Sequence, residues 1–311
     1  MRIRFHFVLL SLLCAGFPVS AQQQGFPLRV VDDTGAAVTL PAPPVRIVSL
    51  TLATDEMLVD LVDPKRLLGV TNLAADPAIS NVAGRVSAIP HKLEMNVETI
   101  LSLAPDLLLV ANWSDAGPVQ QLRDAGVPVY LMASGVTIAS IEGKILRLAA
   151  LAGEQARGRE IVEGMEARLA EVARRVSPVP EDMRLRVIDY ATWGSAQGRG
   201  SSWDEMLRRA GLIDGVGALA ADEWGQVPLS REKLLALDPD VLVLPGWVYN
   251  APTGAAAFYA QVTRDPSLRG LKAVKTGRVY QMPERLKSTT SQYIVEAVEW
   301  LARTAYPERF R

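Results

Sequence analysis

The chain has 311 residues, of which 49% are hydrophobic and 22% charged, and its formal charge is −1 at pH 7. This composition excludes intrinsic disorder and provides for one large core or two smaller ones. Without Arg2 and Arg4, which lie in a predicted leader, the formal charge of −1 becomes −3. A mildly acidic chain is a poor partner for nucleic acid, so this class of ligand is excluded.

Residues 1–21 have the pattern of a secretory signal peptide. Two arginines precede an apolar run that is too short to span a bilayer, and small residues follow at 19–21. Cleavage after Ala21 would give an exported mature chain that starts near Gln22. That chain would contain no cysteine, because the sequence has only Cys14. A lipoprotein anchored through Cys14 is the less favoured alternative, since Leu13 stands where a small residue is usual.

Strand and helix patterns alternate through the first half. Alternating apolar residues interrupted by Asp-Thr-Gly predict a hairpin over 28–40. Thr54 is the predicted N-cap of a helix whose first turn carries Asp55 and Glu56. Further helices are predicted near 98–103 and 119–125, and strands over 46–50, 67–71, 107–110 and 127–132. This alternation predicts a parallel sheet covered on both faces.

The second half repeats the alternation after one long helix. Apolar residues at three- and four-residue steps predict a helix over 154–176, which would be about 34 Å long. Strands are predicted over 186–190, 241–244 and 278–281, and helices over 202–209, 230–237 and 292–304. We expect the long helix to connect the two halves and to permit less movement than strand hinges would.

Two phrases occur in both halves. Asp-Glu-Met-Leu stands at 55–58 and at 204–207, and Glu-x-x-Leu-x-Leu-x-Pro-Asp-x-Leu begins at Glu98 and at Glu232. Repeats at such a long spacing indicate two lobes of similar architecture rather than a solenoid. The predicted fold is α/β, with two Rossmann-like lobes that have mainly parallel sheets and are joined by one long α-helix. The predicted boundaries are 22–152 for the N-terminal lobe, 153–177 for the connecting helix and 178–311 for the C-terminal lobe.

The order of these motifs resembles the periplasmic substrate-binding proteins of ABC importers. The specific branch is the one that binds ferric siderophores, vitamin B12 and haem, and the resemblance covers nearly all of the mature chain. It implies a monomeric protein that captures a metal chelate between its lobes and delivers it to an ABC permease and ATPase at the inner membrane. It implies no catalysis and no cofactor, since the chelate is the ligand.

The resemblance also implies a docking surface. In that family each lobe offers a surface glutamate at the start of a helix, and the pair docks on arginines of the permease. Glu56 matches the first and Glu205 the second. A carboxylate at a helix N-terminus is stabilised in its charged form, and two of them on separate lobes would suit arginine forks. The simpler interpretation is that each carboxylate only complements its own helix dipole.

Aromatic residues are predicted to line the cleft. Trp113, Trp193, Trp224 and Trp247 follow predicted strands or lie in loops, where the open edge of a parallel sheet faces a ligand, and Tyr249 joins them. Together they favour a pocket for a large flat or macrocyclic ligand. The alternative for each tryptophan is a place in the core at the junction between lobe and loop.

Fewer polar residues than aromatic residues are candidates for contact with a ligand. In the family, the loop of His91 faces the cleft, so His91 is a candidate haem ligand or hydrogen-bond donor, although a solvated loop histidine is the simpler interpretation. Arg199, Arg285 and Lys287 follow late predicted strands and are candidates for binding acidic groups of a ligand, with plain surface charge as the alternative. A carrier of bare zinc or manganese is excluded, because such a site needs several histidine or cysteine ligands together.

Two other classes compete with a carrier of siderophore, cobalamin or haem. An enzyme would fit the doubly wound lobes, but the sequence shows no Gly-x-Ser-x-Gly and no cysteine nucleophile. The Gly-x-Gly-x-x-Ala match at 215–220 is expected to follow a helix rather than a strand, which argues against a dinucleotide site. A ligand sensor that docks on a receptor stays open, since docking surfaces look alike.

Overall fold

The computed structural model describes residues 25–223 and 225–311. The predicted signal peptide, Cys14 and Trp224 lie outside these ranges. Within the described ranges, no helix is both long and apolar enough to cross a membrane. The described chain opens with the predicted hairpin, whose antiparallel strands pair Leu28 with Leu40 and Val31 with Ala37. These strands are β1 (Leu28–Val31) and β2 (Ala37–Leu40).

The N-terminal half forms a parallel sheet of five strands. The strands are β3 (Ile47–Ser49), β4 (Leu67–Thr71), β5 (His91–Leu93), β6 (Leu107–Ala111) and β7 (Val129–Met132). Their order across the sheet is β5-β4-β3-β6-β7. Every residue of β6 is buried, as its continuous apolar sequence predicts for a parallel strand covered on both faces. The helices between the strands are α1 (Leu52–Leu61), α2 (Val97–Ser102) and α3 (Ala116–Asp124).

Two long helices follow the first sheet and pack closely on each other. They are α4 (Ile138–Ala152) and α5 (Gln155–Val176). Gly153 adopts a left-handed conformation with φ 77° and ends α4. Gly158 permits the close packing, because a Cβ atom there would lie 2.4 Å from the Cβ of Ala149. Helix α5 is the predicted connector, and its observed start differs by one residue from the predicted start at 154.

The C-terminal half forms a second parallel sheet and a small antiparallel sheet of two strands. The strands of the parallel sheet are β8 (Arg186–Asp189), β10 (Ile213–Asp214), β12 (Val241–Pro245) and β13 (Val279–Met282), and those of the antiparallel sheet are β9 (Ser195–Gln197) and β11 (Gln226–Pro228). The sheet order is β10-β8-β12-β13. The helices are α6 (Ser202–Arg209), α7 (Arg231–Leu237), α8 (Gly254–Arg264), α9 (Lys272–Lys275), α10 (Glu284–Lys287) and α11 (Ile294–Ala305).

One continuous apolar core joins the two lobes. It includes Met57 of α1, Met165 of α5, Met206 of α6 and Val298 of α11, all of them buried. Each lobe also has its own smaller cluster on the other face of its sheet. Because the lobes share packed side chains as well as a connecting helix, we infer that they move less freely than domains joined by a linker.

The fold class is confirmed, and three local predictions are wrong. The N-cap of α1 is Thr51, which accepts a hydrogen bond from the backbone N–H of Thr54, so Thr54 lies inside the helix. His91 begins strand β5 instead of lying on a loop. The stretch 215–220 follows strand β10, although no helix begins there to hold a phosphate. The lobe boundaries given above stay a prediction.

Candidate functional site

The N-terminal half of the cleft is a cavity of about 330 Å³ at the carboxyl edge of the first sheet. The ends of four strands and the first turn of α1 line it, as expected for a ligand site in an open parallel sheet. Trp113, which follows β6, lies on the wall with 67% of its surface exposed. An indole held in water at a cavity mouth indicates a contact surface for an apolar ligand.

The C-terminal half of the cleft is a cavity of about 370 Å³ at the carboxyl edge of the second sheet. Trp193, Trp247 and Tyr249 line it together. Trp193 is 74% exposed and Tyr249 is 73% exposed, and the rings of Trp247 and Tyr249 meet edge to face with centroids 6.0 Å apart. The structure thus brings four of the predicted aromatic residues to the two cavities, one on the first lobe and three on the second.

Both lysines that line the cavities are already paired. Lys144 Nζ lies 3.1 Å from Asp33 Oδ2 in the N-terminal lobe, and Lys287 Nζ lies 3.1 Å from Asp189 Oδ2 in the C-terminal lobe. Burial of Lys287 disfavours its charge, but the carboxylates of Asp189 and Glu284 outweigh this effect and raise its pKa. Among the described residues, the cavity walls therefore offer no unpaired cation to an anionic ligand.

The expectation that Glu56 and Glu205 are surface carboxylates is wrong. Glu56 is 2% exposed and Glu205 is 4% exposed. Glu56 accepts hydrogen bonds from Asn81 and from hydroxyl groups of the other lobe. Glu205 pairs with Arg208 and Arg209 of its own helix. Neither side chain therefore presents the exposed carboxylate that the predicted docking role requires.

Three of the remaining predicted residues, His91, Arg199 and Arg285, lie away from the two cavities. His91 is exposed on the edge strand of the first sheet, and Arg199 is exposed in the loop before α6. Arg285 binds Asn81 of the first lobe through Nη1 at 3.2 Å, so its guanidinium joins the lobes rather than facing the cleft. Trp224 falls outside the described residues. In the described part of the chain, no group of three or more histidine, cysteine, aspartate or glutamate side chains could hold a metal ion.

Two exposed glutamates were missed as candidates. Glu98 lies in the first turn of α2 and Glu232 in the first turn of α7, and both are exposed. Each helix leads into a central parallel strand, so its N-terminus lies at the carboxyl edge of the sheet, where the cavities open. The longer repeat, which begins with these two residues, carried the signal that could have identified them.

A family model for periplasmic binding proteins matches residues 47–286. The chain belongs to the periplasmic binding protein family. As the sequence predicts, it is therefore a solute-binding protein and not an enzyme.

Individual relatives agree with this family. The chain is 26% identical to YvrC of Bacillus subtilis, an uncharacterized ABC transporter substrate-binding lipoprotein, over 92% of this chain and 88% of the relative. It is also 26% identical to a cobalamin-binding protein of Halobacterium salinarum, over 89% of this chain and 73% of the relative. The fold is similar to that of the molybdate-binding protein MolA of Haemophilus influenzae, with a TM-score of 0.71, 21% identity and coverage of 91% and 92% of the two chains.

Proposed function

We propose that the protein is the periplasmic binding component of an ABC importer and that it carries a large, weakly charged metal chelate of the corrinoid type. The observation that supports this proposal most directly is the composition of the cleft: exposed aromatic rings on both lobes and no unpaired cation on the described walls. The cobalamin-binding relative of Halobacterium salinarum adds support to the corrinoid.

The aromatic residues favour a ligand with broad apolar faces. Trp113 on one lobe and Trp193 and Tyr249 on the other would lose their contact with water when a ligand fills the cleft. Burial of apolar surface contributes roughly 25 cal/mol per Å², so three large rings supply a substantial part of the binding free energy. A macrocyclic chelate has faces of the required size, whereas a small oxyanion would leave the rings exposed.

The charges favour a ligand with little net charge. A ferric tris-catecholate carries several negative charges, and burying them without free arginine or lysine partners would be costly. Lys144 and Lys287 could bind such a ligand only by giving up Asp33 and Asp189. Corrinoids carry amide groups instead, and hydroxyl and backbone groups of the cavity walls can satisfy these.

Haem is the second candidate, because one observation favours it. The phenol of Tyr249 is exposed in the C-terminal cavity, and a tyrosine oxygen is one of the axial ligands that proteins provide for haem iron. His91 lies on the outer edge of the first sheet and gives this candidate no support.

Delivery requires a docking surface, and we place it at Glu98 and Glu232. The two carboxylates occupy equivalent positions in the repeat, one on each lobe, and both are exposed beside the cleft opening. The helix N-terminus stabilises each negative charge, and the arginine fork of a permease would bind it in a bidentate manner. A contact that spans both lobes could sense whether the cleft is filled.

Thermal unfolding of the purified protein tests the ligand class. The probes are cyanocobalamin, haemin, a ferric trihydroxamate and a ferric tris-catecholate. A ligand at a hundred times its dissociation constant adds about 2.7 kcal/mol of stability, which a melting curve detects readily. We expect the largest shift with cyanocobalamin. A shift with the tris-catecholate and none with the corrinoid would show that the proposed class is wrong.

Substitutions in the cleft locate the binding site. Trp113→Ala and Trp193→Ala remove one exposed ring from each lobe, and each should weaken corrinoid binding about tenfold. Met183→Ala is the matched control, because Met183 is also a large exposed apolar side chain but lies outside both cavities. If all three variants bind alike, the ligand does not occupy the interlobe cleft.

A further inference from the structure

One segment of the C-terminal lobe also contacts the N-terminal lobe, beside the cleft. After strand β13 the chain forms α10 and then passes through residues 288–293 into α11. We refer to residues 284–293 as the strap. Glu284 and Lys287 of the strap line the C-terminal cavity, and Thr290 lines the N-terminal cavity. The strap therefore borders both halves of the cleft.

Glu56 is the buried anchor of the strap on the N-terminal lobe. Its Oε1 accepts hydrogen bonds from the backbone N–H of Asn81 at 2.8 Å and from Asn81 Nδ2 at 2.9 Å. Its Oε2 accepts from Thr289 Oγ1 at 3.2 Å and from Ser291 Oγ. Thr289 and Ser291 flank Thr290 and are themselves buried. One carboxylate thus binds one donor residue of its own lobe and two of the strap.

Further hydrogen bonds surround this anchor. Gln292 Nε2 donates to the backbone carbonyl of Glu56 at 2.8 Å and to Asp60 Oδ2 at 2.6 Å, and the hydroxyl of Tyr293 donates to Asp60 Oδ2 at 3.1 Å. Arg85 pairs with Asp60 and donates to the hydroxyl oxygen of Tyr293. Four of the five strap residues 289–293 therefore direct their polar groups to the first lobe. The exception is Thr290, which faces the ligand cavity.

The start of the strap is bound as well. The backbone N–H of Arg285 donates to the carbonyl of Ala78 at 3.2 Å, and Asn81 Nδ2 donates to the carbonyl of Arg285 at 2.7 Å. Asn81 consequently contacts both Glu56 and the strap. The other face of the same helical turn carries Lys287, which is bound to Asp189 of the C-terminal lobe.

We propose that Glu56 is a positioning residue for ligand binding: by holding Thr289 and Ser291 it fixes the strap, and with it Thr290 and Lys287, between the two halves of the cleft. The consequence for the ligand rests on the proposed function, in which the chelate fills both cavities. The consequence for the lobes does not, since the hydrogen bonds set the spacing of the lobes with or without a ligand.

The second copy of the tetrapeptide provides a matched control. Glu205 has the same neighbours in sequence and is buried to a similar degree, but its ion pairs are made to Arg208 and Arg209 of its own helix. Removing the Glu205 carboxylate takes away a buried charge without breaking a contact between the lobes.

Distances between spin labels measure the spacing of the lobes directly. Ser102 and Ala236 are exposed at equivalent positions of the longer repeat, one on each lobe, and are replaced by cysteine. Cys14, the only native cysteine, is replaced by serine. We expect a broader distance distribution for Glu56→Ala than for the parent protein, a partial return to the narrow distribution for Glu56→Gln, and no change for Glu205→Ala.

A milder variant keeps the proposal testable if Glu56→Ala does not fold. Ser291→Ala removes one donor to Glu56 and should broaden the distribution to a smaller extent, with the circular dichroism spectrum unchanged. If Ser291→Ala and every folded variant at position 56 retain the parent distribution, the strap does not set the lobe spacing and the proposal is wrong. An equal broadening in Glu205→Ala would also overturn it.

Affinity for cyanocobalamin tests the consequence for the ligand. Glu56→Ala should weaken binding about tenfold, Glu56→Gln less, and Glu205→Ala should bind as the parent does. Broader distances with unchanged affinity would overturn the positioning role. If the parent protein itself does not bind cyanocobalamin, the corrinoid assignment fails, and the distance measurement still decides whether Glu56 fixes the lobes.

Discussion

The tetrapeptide Asp-Glu-Met-Leu lies near the start of two helices, but its distance from the N-cap differs by one residue between them. In the first lobe Thr51 is the N-cap, so Asp55 stands four residues after the cap. In the second lobe Ser201 is the N-cap, and Asp204 stands three residues after it. An offset of one residue rotates a side chain by about 100° around the helix axis. Asp55 is consequently fully buried, whereas Asp204 is half-buried.

The two glutamates differ in their partners. Glu56 accepts hydrogen bonds from residues of the strap and therefore joins the lobes, while Glu205 binds arginines one turn further along its own helix. The same four-residue motif thus provides a contact between the lobes in one half of the chain and local ion pairs in the other. The surroundings of a repeated motif therefore determine its role, and substitutions in the two copies should change stability to different extents.

The largest effect is expected from Asp55, which is the more deeply buried of the two aspartates. Burial raises the pKa of Asp55 from 3.8 to about 7, although hydrogen bonds from Thr71 act in the opposite direction. Between these two values the folded protein holds a proton that the unfolded chain has released. The contribution of protonated Asp55 to the free energy of unfolding is complete below pH 4 and is lost as the pH rises through 7.

Asp55→Asn removes this titration. The free energy of unfolding of the parent protein, relative to that of the variant, should fall between pH 4 and pH 7 by roughly 1.4 kcal/mol per pH unit at most. Urea unfolding at several pH values measures it, and taking the difference from the variant cancels the titration of other groups. Parallel curves for the two proteins would show that Asp55 does not titrate in this range.

A smaller effect separates the partners of the two glutamates. Thr289→Val with Ser291→Ala leaves an oxygen of Glu56 buried without a donor and should cost about 3 kcal/mol of folding free energy. Arg208→Gln with Arg209→Gln should cost about 1 kcal/mol, because these side chains are 63% and 42% exposed and water can replace their guanidinium groups. Denaturant unfolding measures both, and equal losses would contradict the distinction between the two copies.

The sequence was sufficient for the architecture, because periodicity and the repeat both reflect burial. The strands at 67–71 and 107–111 and the helix at 202–209 lie where apolar runs and capping residues predict them. Strand β5 was missed because its three residues include only one apolar side chain, Leu93, and have no strand pattern of their own. Its pairing with β4 creates the strand, and pairing is a property of the folded chain.

The site was predictable only in part. Trp113, Trp193 and Trp247 could be placed at the two cavities because a large ring that follows a parallel strand has few other positions. The surroundings of Glu56 could not be predicted, because its donors Thr289 and Ser291 lie far away in sequence and carry no motif. The predicted exposure of the Glu56 side chain was wrong for the same reason. A carboxylate near a helix start is usually solvated, and no local sequence pattern indicates that a second lobe covers it.

The smallest effect on stability, and the largest on transport, is expected at the longer repeat. Glu98 and Glu232 are exposed, and replacing both with glutamine should change the free energy of unfolding by less than about 0.5 kcal/mol. Ligand affinity should stay unchanged, while stimulation of the importer's ATPase in proteoliposomes should be lost, because the carboxylates that would bind permease arginines are gone. Glu163→Gln with Glu181→Gln is the control, since these exposed glutamates lie on the connecting helix and in a distant turn. Normal stimulation by the Glu98 and Glu232 variant would show that the partner contacts another surface. It would also mean that neither repeated motif has a function shared by its two copies. The similarity between the lobes would then reflect only their shared fold.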